Sequence, residues 1–211
     1  MRKLFLCMLF TALSISCNAR TTNQSISAHL VAGNEALSHS LDSARQTNDS
    51  IALMQDSADR LKDSLINEVG RYIKKVAPRS KMTAHNIVNQ CLDSEYDISL
   101  LLSQAHLETH FGSCGSHNVF GIVGKRYKHP DHAVVDYISL MSSKYIVNRT
   151  PEELISSNFT MENNRRAKYA GNPNYGCLIR NIRNNIINNT DIHNIWCDML
   201  DVRKKLSELG V

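Results

Sequence analysis

The chain has 211 residues, enough for one domain of ordinary size plus an accessory segment. Its net charge of +4 is unevenly placed: residues 1–20 carry +3, residues 21–70 carry three basic and seven acidic residues, and residues 71–211 carry eighteen basic and thirteen acidic. A mildly basic C-terminal part suits an anionic polymer such as cell wall, or is an ordinary surface; without a basic stripe interleaved with aromatics, nucleic acid is excluded as a partner.

Residues 1–19 are expected to be an export signal. Arg2 and Lys3 start it, residues 4–15 are an apolar run too short to span a bilayer, and small residues follow. Cleavage before Cys17, in "ALSISC", leaves a cysteine for lipid attachment and membrane anchoring, although Ser14 stands where a larger apolar residue is usual. Cleavage after Ala19 gives plain secretion. Both predict an extracytoplasmic location: the periplasm, an outer-membrane anchor or the exterior.

Residues 20–79 are expected to form a helical stalk. "DS" recurs every seven residues at Asp42, Asp49, Asp56 and Asp63, followed by Ala44, Ile51, Ala58 and Leu65. Leu30 and Leu37 extend that seam backwards, and Met54 and Leu61 add a second seam position. A period of seven keeps one stripe on one side, as in coiled coils, so a homo-oligomer through this helix is one expectation. Thr47 and Glu68 interrupt the seam, and a solvated helix or one folded back on the domain fits as well. No Gly or Pro occurs from Ala36 through Val69, and such a helix spans roughly 50 Å.

Pro78 stops the stalk. Residues 80–211 then read as a mainly α domain. One helix starts near Thr83, and a second covers about Tyr96 to Phe111, with Gly112 placed to end it. "SCGSHNVFGIVGKRYKHP" reads as loop and small hairpin. Helices are expected over His132–Val147, from "TPEE" at Thr150, from Asn172-Pro173, and from Asp191 to Leu209 before Gly210. Four cysteines remain after the signal: Cys91, Cys114, Cys177 and Cys197. An even number in an exported chain permits disulfides, and at least one bridge is expected, with the pairing open.

The second helix contains "QAHLETHFG". On a wheel, Ser99, Ser103, His106 and His110 share a narrow polar strip, while apolar residues fill most other directions. The helix should therefore be central in the domain. Glu108 falls opposite the strip, beside Leu101 and Ala105. His106 and His110 could hold a metal together, but Glu108 cannot join them. A third ligand from His85, His117, His129 or His132 is not required by any spacing, so no metal and no cofactor is expected. A carboxylate on an apolar side is either a general acid with a raised pKa or the partner of an arginine such as Arg165 or Arg166.

Four blocks resemble a known family. "LLSQAHLETHFG", "NVFGIVG", "VVDYISLM" and "KYAGNPNYGCLIRNI" are similar, in this order, to the signature segments of peptidoglycan endo-β-N-acetylglucosaminidases, most of all the small enzymes of Bacteroides-type bacteria and their phages. They cover about residues 90–187. The resemblance implies a lysozyme-like helical fold with a small β-lobe beside a cleft, and peptidoglycan glycan strands as partner. It implies Glu108 as catalytic acid, Tyr169 near the reacting sugar, and Gln104 and Tyr175 among the glycan-binding residues. Asn118, Phe120 and Gly121 would shape the cleft floor. Asn172 stands where the family has aspartate, and His106 and His110 inherit no role. The second carboxylate is open: Asp131 is the only acid between Glu108 and Asp136, Asp136 matches a family aspartate for which a structural role is the alternative, and a route using the sugar's own acetamide needs no partner. A lytic transglycosylase or muramidase, and a stalked wall-binding protein without turnover, are the competing readings.

Overall fold

The protein is seen here as a computed structural model that describes the backbone of residues 2–144, 159–160, 166–167 and 174–211, and the side chains of residues 37–143 and 174–211. It is mainly helical. Helix α1 spans Arg2–Val76, α2 Ala84–Ser94, α3 Ile98–Thr109, α4 Pro130–Lys144, α5 Tyr175–Asn189 and α6 Ile192–Glu208. A two-residue antiparallel ladder pairs β1 (Phe159–Thr160) with β2 (Arg166–Ala167), Phe159 opposite Ala167. The expected helix starts at Thr150 and Asn172, and the side chains of the signal segment with Cys17, lie outside the described residues. Among the described residues no helix is long and apolar enough to cross a membrane.

Two compact units divide the chain, Met1–Leu53 and Met54–Val211. In the first, Leu37 and Leu41 on α1 are exposed. The second begins well before residue 80, where the sequence places the domain's start. Leu65, Val69, Tyr72 and Ile73 of α1 are buried in its core, with Ala58 and Leu61 packed against them. The later part of the heptad seam is therefore filled by the chain's own domain.

Helix α3 is the centre of that unit and packs against α2, α5 and α6, while α2 packs on α4 and α5 on α6. Residues 98–105 are all buried, polar Ser99, Ser103 and Gln104 included. Asp97 caps the helix by accepting from Leu100 N at 2.7 Å. Arg183 of α5 ties that cap down. Its Nη2 lies 3.0 Å from Asp97 Oδ2, and its Nε donates to Ser99 Oγ at 2.9 Å. The Ser99 and Ser103 part of the polar strip expected from the wheel is thus buried, with Arg183 as a polar partner; His106 is half-buried against Tyr72, and His110 is exposed.

Thr83 caps α2, as expected, by accepting from Asn86 N at 3.4 Å. Helix α4 begins at Pro130 rather than His132, which suits proline at the first helical position. Its expected end, residues 145–147, lies outside the described residues. Helix α6 occupies the expected interval, and Gly210 follows with φ +78°. Helix α3 ends differently from expectation. His110, not Gly112, is its C-cap, and His110, Phe111 and Gly112 take φ of 52°, 57° and 68° in succession. Cys91, Cys114, Cys177 and Cys197 are all free, which corrects the expected bridge. They lie on α2, the loop after α3, α5 and α6, and only Cys91 is buried, so burial draws no pair of them together.

Candidate active site

Glu108 stands on the last turn of α3, where the helix leaves the core. The residues before 106 are buried, and Glu108 itself is exposed. Glu108 therefore does not stand on a buried apolar face, and this corrects the sequence reading. The wheel ranks faces around the helix axis, whereas exposure here changes along it.

Two residues are brought directly to the carboxylate. Tyr175, in the first turn of α5, donates its hydroxyl to Glu108 Oε1 at 2.7 Å. Gly121 lies against the other oxygen: a Cβ there would sit 3.6 Å from Oε2, and the residue has φ +63°. One oxygen is thus fixed by a donor, and the other faces a backbone with no side chain. Tyr169, Arg165 and the side chain of Arg166 lie outside the described residues.

The segment carrying Gly121 is folded by a side chain rather than by the expected hairpin. Asn118 Nδ2 donates to Ile122 O at 2.8 Å and Lys125 O at 3.2 Å, and its Oδ1 accepts from Ile122 N at 2.9 Å. These bonds satisfy backbone groups that strand pairing would otherwise satisfy, so residues 113–129 contain turns and no strand. Thr109 Oγ1 donates to Val119 O at 2.7 Å, fastening the loop to the end of α3. Phe120 is buried and stacks on Tyr137, with ring centres 4.0 Å apart and planes at 6°. Asn118 and Phe120 shape the ground under Gly121.

The remaining predicted residues are engaged elsewhere. Gln104 is buried and accepts from Tyr96 OH at 2.7 Å. Asp131 accepts from Thr83 N at 3.0 Å and from Thr83 Oγ1 at 2.7 Å, joining the start of α4 to the cap of α2. Asp136 accepts from Tyr127 OH at 3.0 Å and meets Lys125 Nζ at 3.3 Å. The Tyr127 bond and then Lys125 hold the Asp136 carboxyl below its usual value, and burial with the Asp136 contact pushes the Tyr127 phenol up to about 12.

His106 and His110 point to α1 instead of a cleft. His106 Nδ1 is 3.0 Å from Tyr72 OH, His110 Nε2 donates to Val76 O at 2.6 Å, and the two rings are 4.7 Å apart, edge to face. Nothing in the spacing signalled Tyr72 or Val76 as their partners. Among the described residues no three His, Cys, Asp or Glu side chains are grouped to hold a metal. Burial, and secondly the neighbouring His110, lower the His106 pKa from 6.5. The unfolded chain then binds more protons than the folded one just below pH 6.5, so stability falls as the pH drops through that window. His106→Asn keeps an acceptor for Tyr72 without the titration. Its denaturation midpoint should change less than the parent's between about pH 7.5 and 5.5; equal slopes would clear His106 of the effect.

Gly121→Ala tests the open side of Glu108. The added methyl takes the space before Oε2 in a left-handed conformation that costs about 1–2 kcal/mol. If Glu108 acts on glycan as the resemblance implies, cleavage should fall at least tenfold while the chain stays folded by circular dichroism, a loss of roughly 1.4 kcal/mol in transition-state binding. Unchanged turnover would show that the substrate does not approach past Gly121.

No protein-family model, curated protein or solved structure matches the chain.

Proposed function

We propose that the chain is an exported peptidoglycan hydrolase of lysozyme-like architecture that cuts the β-1,4 bond after N-acetylglucosamine, with Glu108 as general acid. The observation that carries this reading is the carboxylate's geometry. Glu108 projects from a helix buried over its first eight residues, one oxygen is held by Tyr175, and the other faces Gly121. A rigid mount with one oxygen left for the substrate is what proton transfer in a set direction needs. A glycan strand lying over the exposed carboxylate excludes water from it, and so supplies the desolvation that the free chain lacks.

Glu108 gives its proton to the leaving glycosidic oxygen as the bond to the anomeric carbon breaks. The substrate's acetamide oxygen forms the new bond to that carbon; water then attacks the anomeric carbon, the acetamide oxygen leaves it, and Glu108 takes the water's proton. This one-carboxylate route is supported by the engagement of Asp131 with Thr83 and of Asp136 with Tyr127 and Lys125. Tyr169 steadies the developing charge, and Tyr175, Asn118, Phe120 and Gly121 position the glycan directly or through the backbone, whereas Gln104 is buried against Tyr96 and serves the core. On this reading the chain works outside the cytoplasm, by lipid on Cys17 or after plain secretion. Self-association through α1 would cover the exposed Leu37 and Leu41.

The test is the identity of the new ends. Digestion of purified peptidoglycan should yield N-acetylglucosamine reducing ends. Muramic or anhydro-muramic ends would instead mark a muramidase or lytic transglycosylase. Binding with no new ends would mark a wall-binding protein.

A further inference from the structure

The loop that carries Gly121 continues as "GKRYKH", and its charges are not evenly engaged. Lys125 is taken up by Asp136. Arg126 and Lys128 are exposed, as are Arg79 and Lys81 on the segment before α2. Among the described residues none of these four meets a carboxylate.

The two segments are held together. Thr83 bonds Asp131 with both its N–H and its hydroxyl, and Asn86 Nδ2 donates to Asp131 O at 3.2 Å. Ser80 Oγ, between Arg79 and Lys81, donates to Phe111 O at 2.8 Å, where the loop begins. The loop's own course is fixed by Asn118 and by His117 Nδ1, 3.2 Å from Tyr127 O. The acids within this region, Asp131 and Asp136, are already spent on these tethers. A fixed, uncompensated positive rim therefore runs from the neighbourhood of Glu108 to the starts of α2 and α4.

We propose that Arg126 and Lys128, with Arg79 and Lys81, take the carboxylates of the peptide stems carried by the glycan strand cut at Glu108. This rests on the peptidoglycan reading. It adds that the enzyme recognises the stems as well as the sugars. Single cations spaced along two chain segments suit separate carboxylates on a repeating polymer. The one aromatic among them, Tyr127, is tied to Asp136 and offers no ring for base stacking. The exposed apolar residue at the loop tip, Val123, stands alone, so there is no face for insertion into lipid.

The test is co-sedimentation of the full chain carrying Glu108→Gln with purified sacculi, native or with their carboxylates amidated by carbodiimide. Native sacculi should bind about tenfold tighter than amidated ones, and the difference should shrink as salt rises from about 50 to 300 mM. Adding Arg126→Glu and Lys128→Glu should remove the preference. Lys204→Glu with Lys205→Glu on α6 should leave it. Equal binding to native and amidated sacculi, or a charge-reversed loop that binds like its parent, overturns the proposal. So does tighter binding to vesicles of phosphatidylglycerol and phosphatidylcholine than to sacculi, which would assign the rim to membrane. The hydrolase reading fails separately, by the absence of new reducing ends with the unsubstituted chain.

Discussion

On the hydrolase reading proposed above, Glu108→Gln should lower glycan cleavage by roughly three orders of magnitude and leave the fold and glycan affinity unchanged. The amide has the shape of the carboxyl, its oxygen can still accept from Tyr175, and the position is exposed, so packing loses nothing. What it cannot do is hand a proton to the leaving sugar oxygen. The loss should appear in kcat with KM unchanged, since the interaction exists only in the transition state. Asp131→Asn supplies the contrast. Asp131 accepts two bonds from Thr83, so its replacement should weaken the joint between α2 and α4 and cost stability while sparing turnover. If Asp131→Asn abolished turnover in a folded protein, a second carboxylate would be required. If Glu108→Gln were as active as the parent, Glu108 would have no part in the chemistry.

The sequence announced the helices better than their surroundings. Thr83 and the Asp191–Gly210 interval are marked by local chemistry, caps and left-handed stops, which act within a few residues and need no tertiary partner. The centrality of α3 was visible because apolar residues occupy most of its circumference. The exposure of Glu108 was not, because a wheel collapses the helix along its axis and hides where the helix leaves the core. The seam from Ala58 to Leu65 has the same period whether it packs on another helix or on its own domain, so the sequence could not assign residues 54–79 to the globular unit. The loop's glycines and short β-type runs suggested a hairpin, but Asn118 satisfies the backbone by itself, and a single asparagine carries no such signal in advance. Tyr175 was legible as part of the site only through the resemblance. Its bond to a residue 67 positions earlier depends on α5 packing on α3.

Gly112→Ala should cost about 3 kcal/mol, a fall in Tm of roughly 6–12 °C for a chain of this size. Two effects add. Gly112 has φ +68°, where a side chain costs about 1–2 kcal/mol. A Cβ there would also lie 2.3 Å from Ser116 O, a backbone atom that cannot rotate away. Relief by movement is blocked on both sides. Gly112 N is held by Thr109 Oγ1 at 2.9 Å, Gly115 N donates to Gly112 O at 3.0 Å, and the preceding Phe111 is fully buried with its carbonyl bonded to Ser80. Gly115→Ala separates the two effects, because Gly115 has φ +89° but nothing within 4 Å of its Cβ position. It should lose only the backbone part, about 1–2 kcal/mol. Equal losses at the two glycines, read from denaturant midpoints, would mean that the close approach to Ser116 is absent in solution. A larger loss at Gly112, accompanied by a fall in glycan cleavage, would tie this turn to the placing of Gly121 before Glu108, since the same loop joins them.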